Sequence, residues 1–415
     1  MSTRSRGKEI VRLIFGMGFS QLIFLLLIPV LTRLFSTADI GALGAYLTLV
    51  AVLVIFFTGR FEMALVFCKD QSMALALERL SVLRCYFLAT LVSIVLGSTF
   101  LLWPGAREFI VSNNLFFIVL GALILGRYNI TLQVVLRDVR YKSISIARIT
   151  HSVMFGVIAI VSALSLLPNM VLLFLSDTIA RLVSLFTLRR ATIRSSVPFI
   201  KVRNARARYA RFSNFEQVTA VLSILSIQSP MIIIPVIFDA ATAGLYFIVF
   251  RVVMGPVGLI ANAVFDVFKV EASKQFHIEG ECRDLVLYTA SRLLMAGLIP
   301  TILIICFSEA AFVMVFGESY AVAGKYAQFL APSVLFRFIA APLGFILQLR
   351  ERVGLNTIFY GFFFVTTCLS LFIGWKMNSA EIMVIAISLS SSILYLIQIM
   401  LAYIYSGPSK VSHTK

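Results

Sequence analysis

The sequence predicts an all-α polytopic membrane protein, with twelve transmembrane helices in two parallel-repeat six-helix units. Three observations predict it. Apolar residues make up 60% of the chain and charged ones 13%, and the mean hydropathy of +0.98 lies far outside the range of water-soluble domains. Apolar runs recur through all 415 residues, each long enough to cross about 30 Å of hydrocarbon as a helix. A stretch near the start also returns near the middle: Phe35, Ala38 and Gly41 are matched 203 positions later by Phe238, Ala241 and Gly244, and apolar helix follows both. That shift is close to half the chain, which points to a duplicated unit. Six helices per unit is an even number, so the second copy begins on the same side of the membrane as the first.

In order, the expected spans are 10–32, 40–58, 80–103, 115–136, 144–167, 170–188, 216–238, 243–265, 289–316, 326–348, 354–375 and 382–404. They group into a first lobe (1–188), a basic cytoplasmic linker (189–213), a second lobe (214–405) and a tail (406–415). The basic start resembles the first region of a signal peptide, but the apolar run after it is too long for a cleaved signal and is kept as the first span. The chain leaves that span through Arg33-Leu34-Phe35-Ser36, turns at Asp39-Ile40-Gly41 and crosses back before meeting Gly59-Arg60-Phe61-Glu62-Met63-Ala64-Leu65.

The net charge of +17 suggests nucleic acid only until its distribution is examined. With the N-terminus inside, 28 of the 36 Lys and Arg fall on the inner side, counting Arg12, Arg84, Arg148 and Arg292 in the first turns of their spans, and 4 on the outer, which places both termini in the cytoplasm by the positive-inside rule. The charge is mostly topology, and no nucleic-acid partner is expected. Eight of those cations lie in the joint between Arg189 and Arg211, with no acid. Val202, Ala205, Tyr209 and Phe212 fall at helical spacing there. Two readings stand level: an amphipathic helix on anionic phospholipids of the inner leaflet, or a solvated linker that only enforces topology.

Enzyme classes are disfavoured. The outer loops are short, and His151, His277 and His413 are scattered, so no catalytic cluster converges. No Gly-rich phosphate loop, CxxC or Cys/His metal spacing occurs. No catalytic residue, metal or cofactor is therefore expected. A coupling ion, H+ or Na+, stays unassigned; Glu62, Asp177, Glu216 and Asp266 are the acids nearest the membrane.

Arginines inside the spans carry the functional signal, because burying one costs about 2.5 to 3.5 kcal/mol on insertion scales. Arg127 and Arg337 sit near the middle of the fourth and tenth spans, Arg251 in the eighth, and Arg60 at the inner end of the second. These are repeat-related helices that can line one cavity. A guanidinium is always charged and grips phosphate oxygens two at a time, so such a cavity suits a phosphate-bearing anion. Gln21, Asn262 and Gln348, with Gln133, Gln228 and Gln398, offer hydrogen bonds for sugar hydroxyls, although each alone is more often helix-helix glue. Asp177 and Arg181 stand one turn apart in the sixth span and neutralise each other, a structural pair. Arg60 and Glu62, two positions apart on a helix, are expected on different faces. Arg33 and Glu62 are candidates for gating or ion coupling. Prolines 29, 230, 235, 256, 300, 332 and 342 mark kinks within or near spans.

With these residues in view, the chain resembles the Wzx-type oligosaccharide flippases of the polysaccharide transporter family, within the MOP superfamily. The resemblance runs through Pro29 to Gly41 and the Gly59–Leu65 motif, then Ala243-Gly244-Leu245-Tyr246, Phe250-Arg251-Val252, Pro256 and Ala272-Ser273. It continues with Phe316-Gly317-Glu318, Ala323-Gly324, Leu330-Ala331-Pro332, Phe336-Arg337-Phe338 and Ala341-Pro342-Leu343. It implies two six-helix lobes around a central cavity, alternating access, and movement of undecaprenyl-diphosphate-linked oligosaccharide from the inner to the outer leaflet of the bacterial cytoplasmic membrane, with a polysaccharide polymerase and chain-length machinery as partners. It marks Arg60, Glu62, Arg251 and Arg337 as motif positions, whereas Arg127 rests on depth alone. The alternative is a MATE-like multidrug or small-molecule cation-coupled antiporter, for which membrane-embedded acids are expected.

Overall fold

A computed structural model describes residues 3–65, 67–68, 70–164, 169–189, 198–350 and 353–408. The described chain is all helical, and twelve of its helices are long and apolar enough to span a membrane. Lipid leaves little alternative, because every backbone polar group in hydrocarbon must be satisfied within the chain.

The helices run α1 (Thr3–Leu34), α2 (Thr37–Thr58), a one-turn α3 (Phe61–Ala64), α4 (Gln71–Leu102), α5 (Pro104–Ser112), α6 (Leu115–Arg137), α7 (Tyr141–Ala163) and α8 (Asn169–Arg189). After the connector come α9 (Phe199–Ile237), α10 (Ala240–Val249), a π-helical turn (Phe250–Met254), α11 (Gly255–Glu279) and α12 (Arg283–Phe316). A 3-10 turn (Glu318–Tyr320), α13 (Ala321–Leu343), a short α14 (Phe345–Leu349), α15 (Val353–Lys376) and α16 (Ala380–Tyr405) complete the chain. Twelve spans were expected and twelve are found. The largest departure is α9, which begins at Phe199 and not at 216, so the second half of the expected linker is helix; residues 190–197 of that linker lie outside the described residues. The fifth span ends at Ala163, and the tail beyond 408 is not described.

The repeated stretch reappears as two equivalent helix starts. Ser36 caps α2 in a reciprocal box: Asp39 N–H donates to Ser36 Oγ, and Ser36 N–H to Asp39 Oδ2, both at 3.1 Å. At the same offset of 203 residues, Asp239 caps α10 by accepting from Thr242 N–H at 2.6 Å. Each cap satisfies a donor that the helix itself leaves open.

The chain forms two compact units, Met1–Gln228 and Ser229–Lys415. In the first, α2 packs against α4, α6 and α8, while α7 lies between α1 and α8. The contacts are made close by small residues, as expected where lipid supplies no hydrophobic drive: a Cβ on Gly121 would stand 2.1 Å from the Tyr46 hydroxyl. In the second unit, α13 is the hub, touching α10, α11, α12 and α16. A Cβ on Gly324 of α13 would lie 2.4 Å from Glu309 Cα of α12, and Ser308 Oγ donates to Gly324 O at 2.8 Å. The chain's two tryptophans stand exposed at Trp103, which ends α4, and Trp375 near the end of α15, where amphipathic rings meet a membrane interface.

Candidate functional site

The Gly59–Leu65 motif has a conformational origin. Gly59 closes α2 at φ 62° and Arg60 follows at φ 60°, two consecutive left-handed residues of which only the first is glycine. The second is therefore strained, and such strain concentrates at functional positions. The turn is clamped from outside. Ser213 Oγ donates to Gly59 O, and the Arg84 guanidinium packs against Gly59 so closely that a Cβ would lie 2.5 Å from Cζ.

Because Arg60 precedes α3 and is not part of it, helical phase does not separate it from Glu62. Arg60 Nη1 lies 3.9 Å from Glu62 Oε1, and Nη2 donates to Glu216 Oε1 at 3.3 Å. The expectation that Arg60 and Glu62 point apart is thus corrected, and Glu216, which had no visible partner in the sequence, gains one. Glu62 is 1% exposed. Burial pushes its carboxyl above the ordinary range, with Arg60 acting in the opposite sense. Arg127, in the middle of α6, lies over the ring of Tyr86 with Cζ 5.4 Å from the centroid.

In the second unit, Pro256 shapes the site. It has no N–H to give, and its ring crowds the carbonyl four residues back, so the helix widens into the π turn of residues 250–254. Arg251 sits in that turn with Cζ 5.1 Å from the Phe247 centroid. Arg337, on the buried hub α13, donates from Nη1 to the thioether of Met254 at 3.5 Å. Sulfur is a weak acceptor, and among the described residues this is the one hydrogen bond Arg337 makes. Tyr246 and Tyr395 lie within its electrostatic reach. The structure therefore brings the Arg251 turn and Arg337 together within this unit. An apolar cavity of about 590 Å³ opens beside them, with Pro256, Pro300 and Phe338 in its wall.

Asp177 and Arg181 meet at 2.7 Å, and Asp177 is 3% exposed. The sequence missed a third member. His151 of α7, read there as isolated, places Nε2 3.2 Å from Asp177 Oδ1, and Tyr46 shares a 2.7 Å hydrogen bond with Thr178 one residue along. Helical spacing shows pairs on one helix, but contact between α7 and α8 is not periodic in sequence. Arg33, Asn262 and Gln348 are exposed and Gln21 is half-buried; none makes a hydrogen bond among the described residues. Gln133 and Gln228 do serve helix contacts, to Met63 Sδ at 3.7 Å and Thr48 Oγ1 at 3.3 Å. Among the described residues no cluster of His, Cys, Asp and Glu is arranged to hold a metal.

The helix order and the placement of these cations can be set beside known proteins. A sequence profile described as "polysaccharide biosynthesis protein" matches residues 30–324, well over half the chain. The chain belongs to the polysaccharide biosynthesis protein family. Curated protein sequences yield no match. Solved structures share the fold of this polysaccharide biosynthesis protein at low identity. A MOP superfamily transporter from Pyrococcus furiosus is 14% identical over 96% of this chain and 95% of its own, with a TM-score of 0.67. The lipid II flippase MurJ, in an inward closed conformation, is 13% identical over 94% and 87%, with a TM-score of 0.66. An inward-facing multidrug resistance transporter of the MATE family is 13% identical over 97% and 94%, with a TM-score of 0.61. The fold is the one shared by these MOP superfamily transporters.

Proposed function

We propose that this protein is a flippase for polyprenyl (undecaprenyl) diphosphate-linked oligosaccharide. It would carry repeat units from the inner to the outer leaflet of the bacterial cytoplasmic membrane, for O-antigen, capsule or exopolysaccharide assembly. In this reading the two six-helix lobes, 1–188 and 214–405, enclose a central cavity that opens alternately to each side, with both termini cytoplasmic. The polyprenyl tail stays in lipid, and the protein supplies a polar path for the head group. Delivered units pass to a polymerase and its chain-length machinery.

Arg337 carries the proposal. Its guanidinium lies mid-span, always charged, with a thioether as its hydrogen-bond partner, so its fork is available to a diphosphate. The polysaccharide family match supports the same cargo class. A second reading, the cation-coupled antiporter, is favoured by the fold comparisons, among which MATE transporters predominate, and by the buried Asp177 with its His151 contact. Against it, Arg181 already holds Asp177 at 2.7 Å. The Pyrococcus furiosus relative is described as having a binding pocket of reversed polarity that suggests a different function, so one fold serves cavities of either sign.

Lys at Arg127 or Arg337 keeps the charge and loses the fork, and Ala loses both. Surface glycan restored in a flippase-deficient strain, per molecule of inserted protein, should fall in the order Arg, Lys, Ala, by about tenfold or more for Ala. Unchanged normalised transport in both Ala variants overturns the anion site. Dependence on Asp177 alone, with drug efflux in place of glycan export, favours the antiporter.

A further inference from the structure

The first unit holds a second cationic site, whose lining does not include Arg60 or Arg127. Between α3, α4 and the first turns of α9 lies a pocket of about 810 Å³, into which Arg84, Arg203 and Arg206 project beside Phe61, Leu83 and Phe87. The sequence of α9 builds one wall. Val202 and Ala205 are buried in a core with Phe61, Ala64, Leu65 and Leu77, and Tyr209 packs on its edge. The apolar stripe of the basic joint is therefore occupied by the protein's own α3 and α4, with Phe212 left exposed. Arg203 and Arg206, three apart on the next face of the same helix, are exposed and turn toward Arg84.

None of the three makes an ion pair or hydrogen bond among the described residues. Arg84 is held over the Phe61 ring, 5.8 Å from the centroid, where Arg206 is near enough to repel it and Glu62, outside the pocket lining, offsets that only in part. Three like charges around one pocket oppose the docking of α9 unless an anion sits among them. No Ser, Thr, Asn, Gln, Asp or Glu lines the pocket, so it offers nothing to accept from sugar hydroxyls. On α4 the wall continues as an exposed apolar ridge, Leu83, Phe87, Leu91 and Ile94, spaced at one helical face and long enough to carry an acyl chain.

We propose that this pocket binds the phosphate headgroup of an anionic glycerophospholipid, with an acyl chain along the α4 ridge, and that the lipid fastens the start of α9 to the first unit. The bound lipid neutralises the repulsion between Arg84 and Arg206. It also secures the turn that presents Arg60, because Ser213 of α9 donates to Gly59 O. This holds whichever cargo the transporter carries.

The test uses the purified full-length protein in detergent, with thermal midpoints and native mass spectrometry read against added phosphatidylglycerol, phosphatidylcholine, undecaprenyl phosphate or inorganic phosphate. Phosphatidylglycerol should raise the midpoint and remain bound, whereas phosphatidylcholine and inorganic phosphate should do neither. The double variant Arg203→Gln/Arg206→Gln should bind phosphatidylglycerol about thirtyfold more weakly, at about 1 kcal/mol per cation near the membrane surface. Arg203→Lys/Arg206→Lys should retain most of the effect. Both positions are exposed, so folding of the variants is not at stake, and the wild-type comparison of the two phospholipids is decisive without them. An equal response to phosphatidylcholine, a full response to inorganic phosphate, or an undiminished response in the Gln variant overturns the site. A response confined to undecaprenyl phosphate overturns the phospholipid assignment and makes the pocket a substrate station.

Discussion

Replacing Asp177 by Asn tests the buried polar cluster of the first unit. The change is nearly isosteric but leaves Arg181, 19% exposed and held at 2.7 Å, without a counter-charge. Breaking one side of a buried pair costs about 3 to 5 kcal/mol, and the insertion cost of a lone Arg, about 2.5 to 3.5 kcal/mol, gives a similar figure. The Asn oxygen still accepts from Arg181 or His151, which returns about 1 kcal/mol. The net loss is about 2 to 3 kcal/mol, or roughly 30- to 150-fold in the population of correctly assembled protein. Membrane-inserted protein should therefore fall strongly, and the thermal midpoint of what inserts should fall with it. Transport per inserted molecule should stay near normal. The double variant Asp177→Asn/Arg181→Gln, with no charge left to strand, should recover most of the abundance. Normal abundance with abolished transport in the single variant would refute a structural role, as would a double variant no better than the single one.

Three further outcomes are expected. Gly324→Ala drives a methyl into the Glu309 backbone and should cost about 1 to 3 kcal/mol, read as lower thermal stability; Gly361→Ala, with open space around it, is the matched control and should lose nothing. Glu62 holds its proton more tightly folded than unfolded, so its contribution to stability is complete in acid and is lost as pH rises through its raised value. Between about pH 5 and about pH 8 the thermal midpoint of Glu62→Gln should decline less than that of the wild type; parallel declines would remove Glu62 from the explanation. Reporter fusions at Asp239 and Lys376 should read as external, and a cytoplasmic signal at Asp239 would overturn the topology drawn from the Lys and Arg asymmetry.

Span number and order were legible because hydrocarbon thickness sets a length that apolar runs must meet. The start of α9 was not. Residues 199–215 are too basic to count as a span; the helical spacing of Val202, Ala205, Tyr209 and Phe212 leaves a helix level with a solvated linker, and neither its continuity with the seventh span nor its packing of Val202 and Ala205 on α3 and α4 can be read there. Prolines were readable as breaks but not in kind: Pro256 produces a π turn ahead of it, whereas Pro230 and Pro235 sit inside a continuous α9. In the site, Asp177 and Arg181 follow from helical spacing on one element. His151 and Glu216 do not, because each reaches its partner across helices. The left-handed Arg60 was the least accessible feature, since arginine carries no sequence signal for positive φ, and it alone reverses the expected geometry with Glu62.

The two exposed tryptophans have a spectroscopic consequence. Trp103 belongs to the first compact unit and Trp375 to the second, and there is no third indole in the sequence. A Trp103→Phe variant therefore emits from the second unit alone, and Trp375→Phe from the first alone. Each becomes a single-site fluorophore without a label or an introduced cysteine, so quenching by brominated lipid can follow the two units separately through a transport cycle.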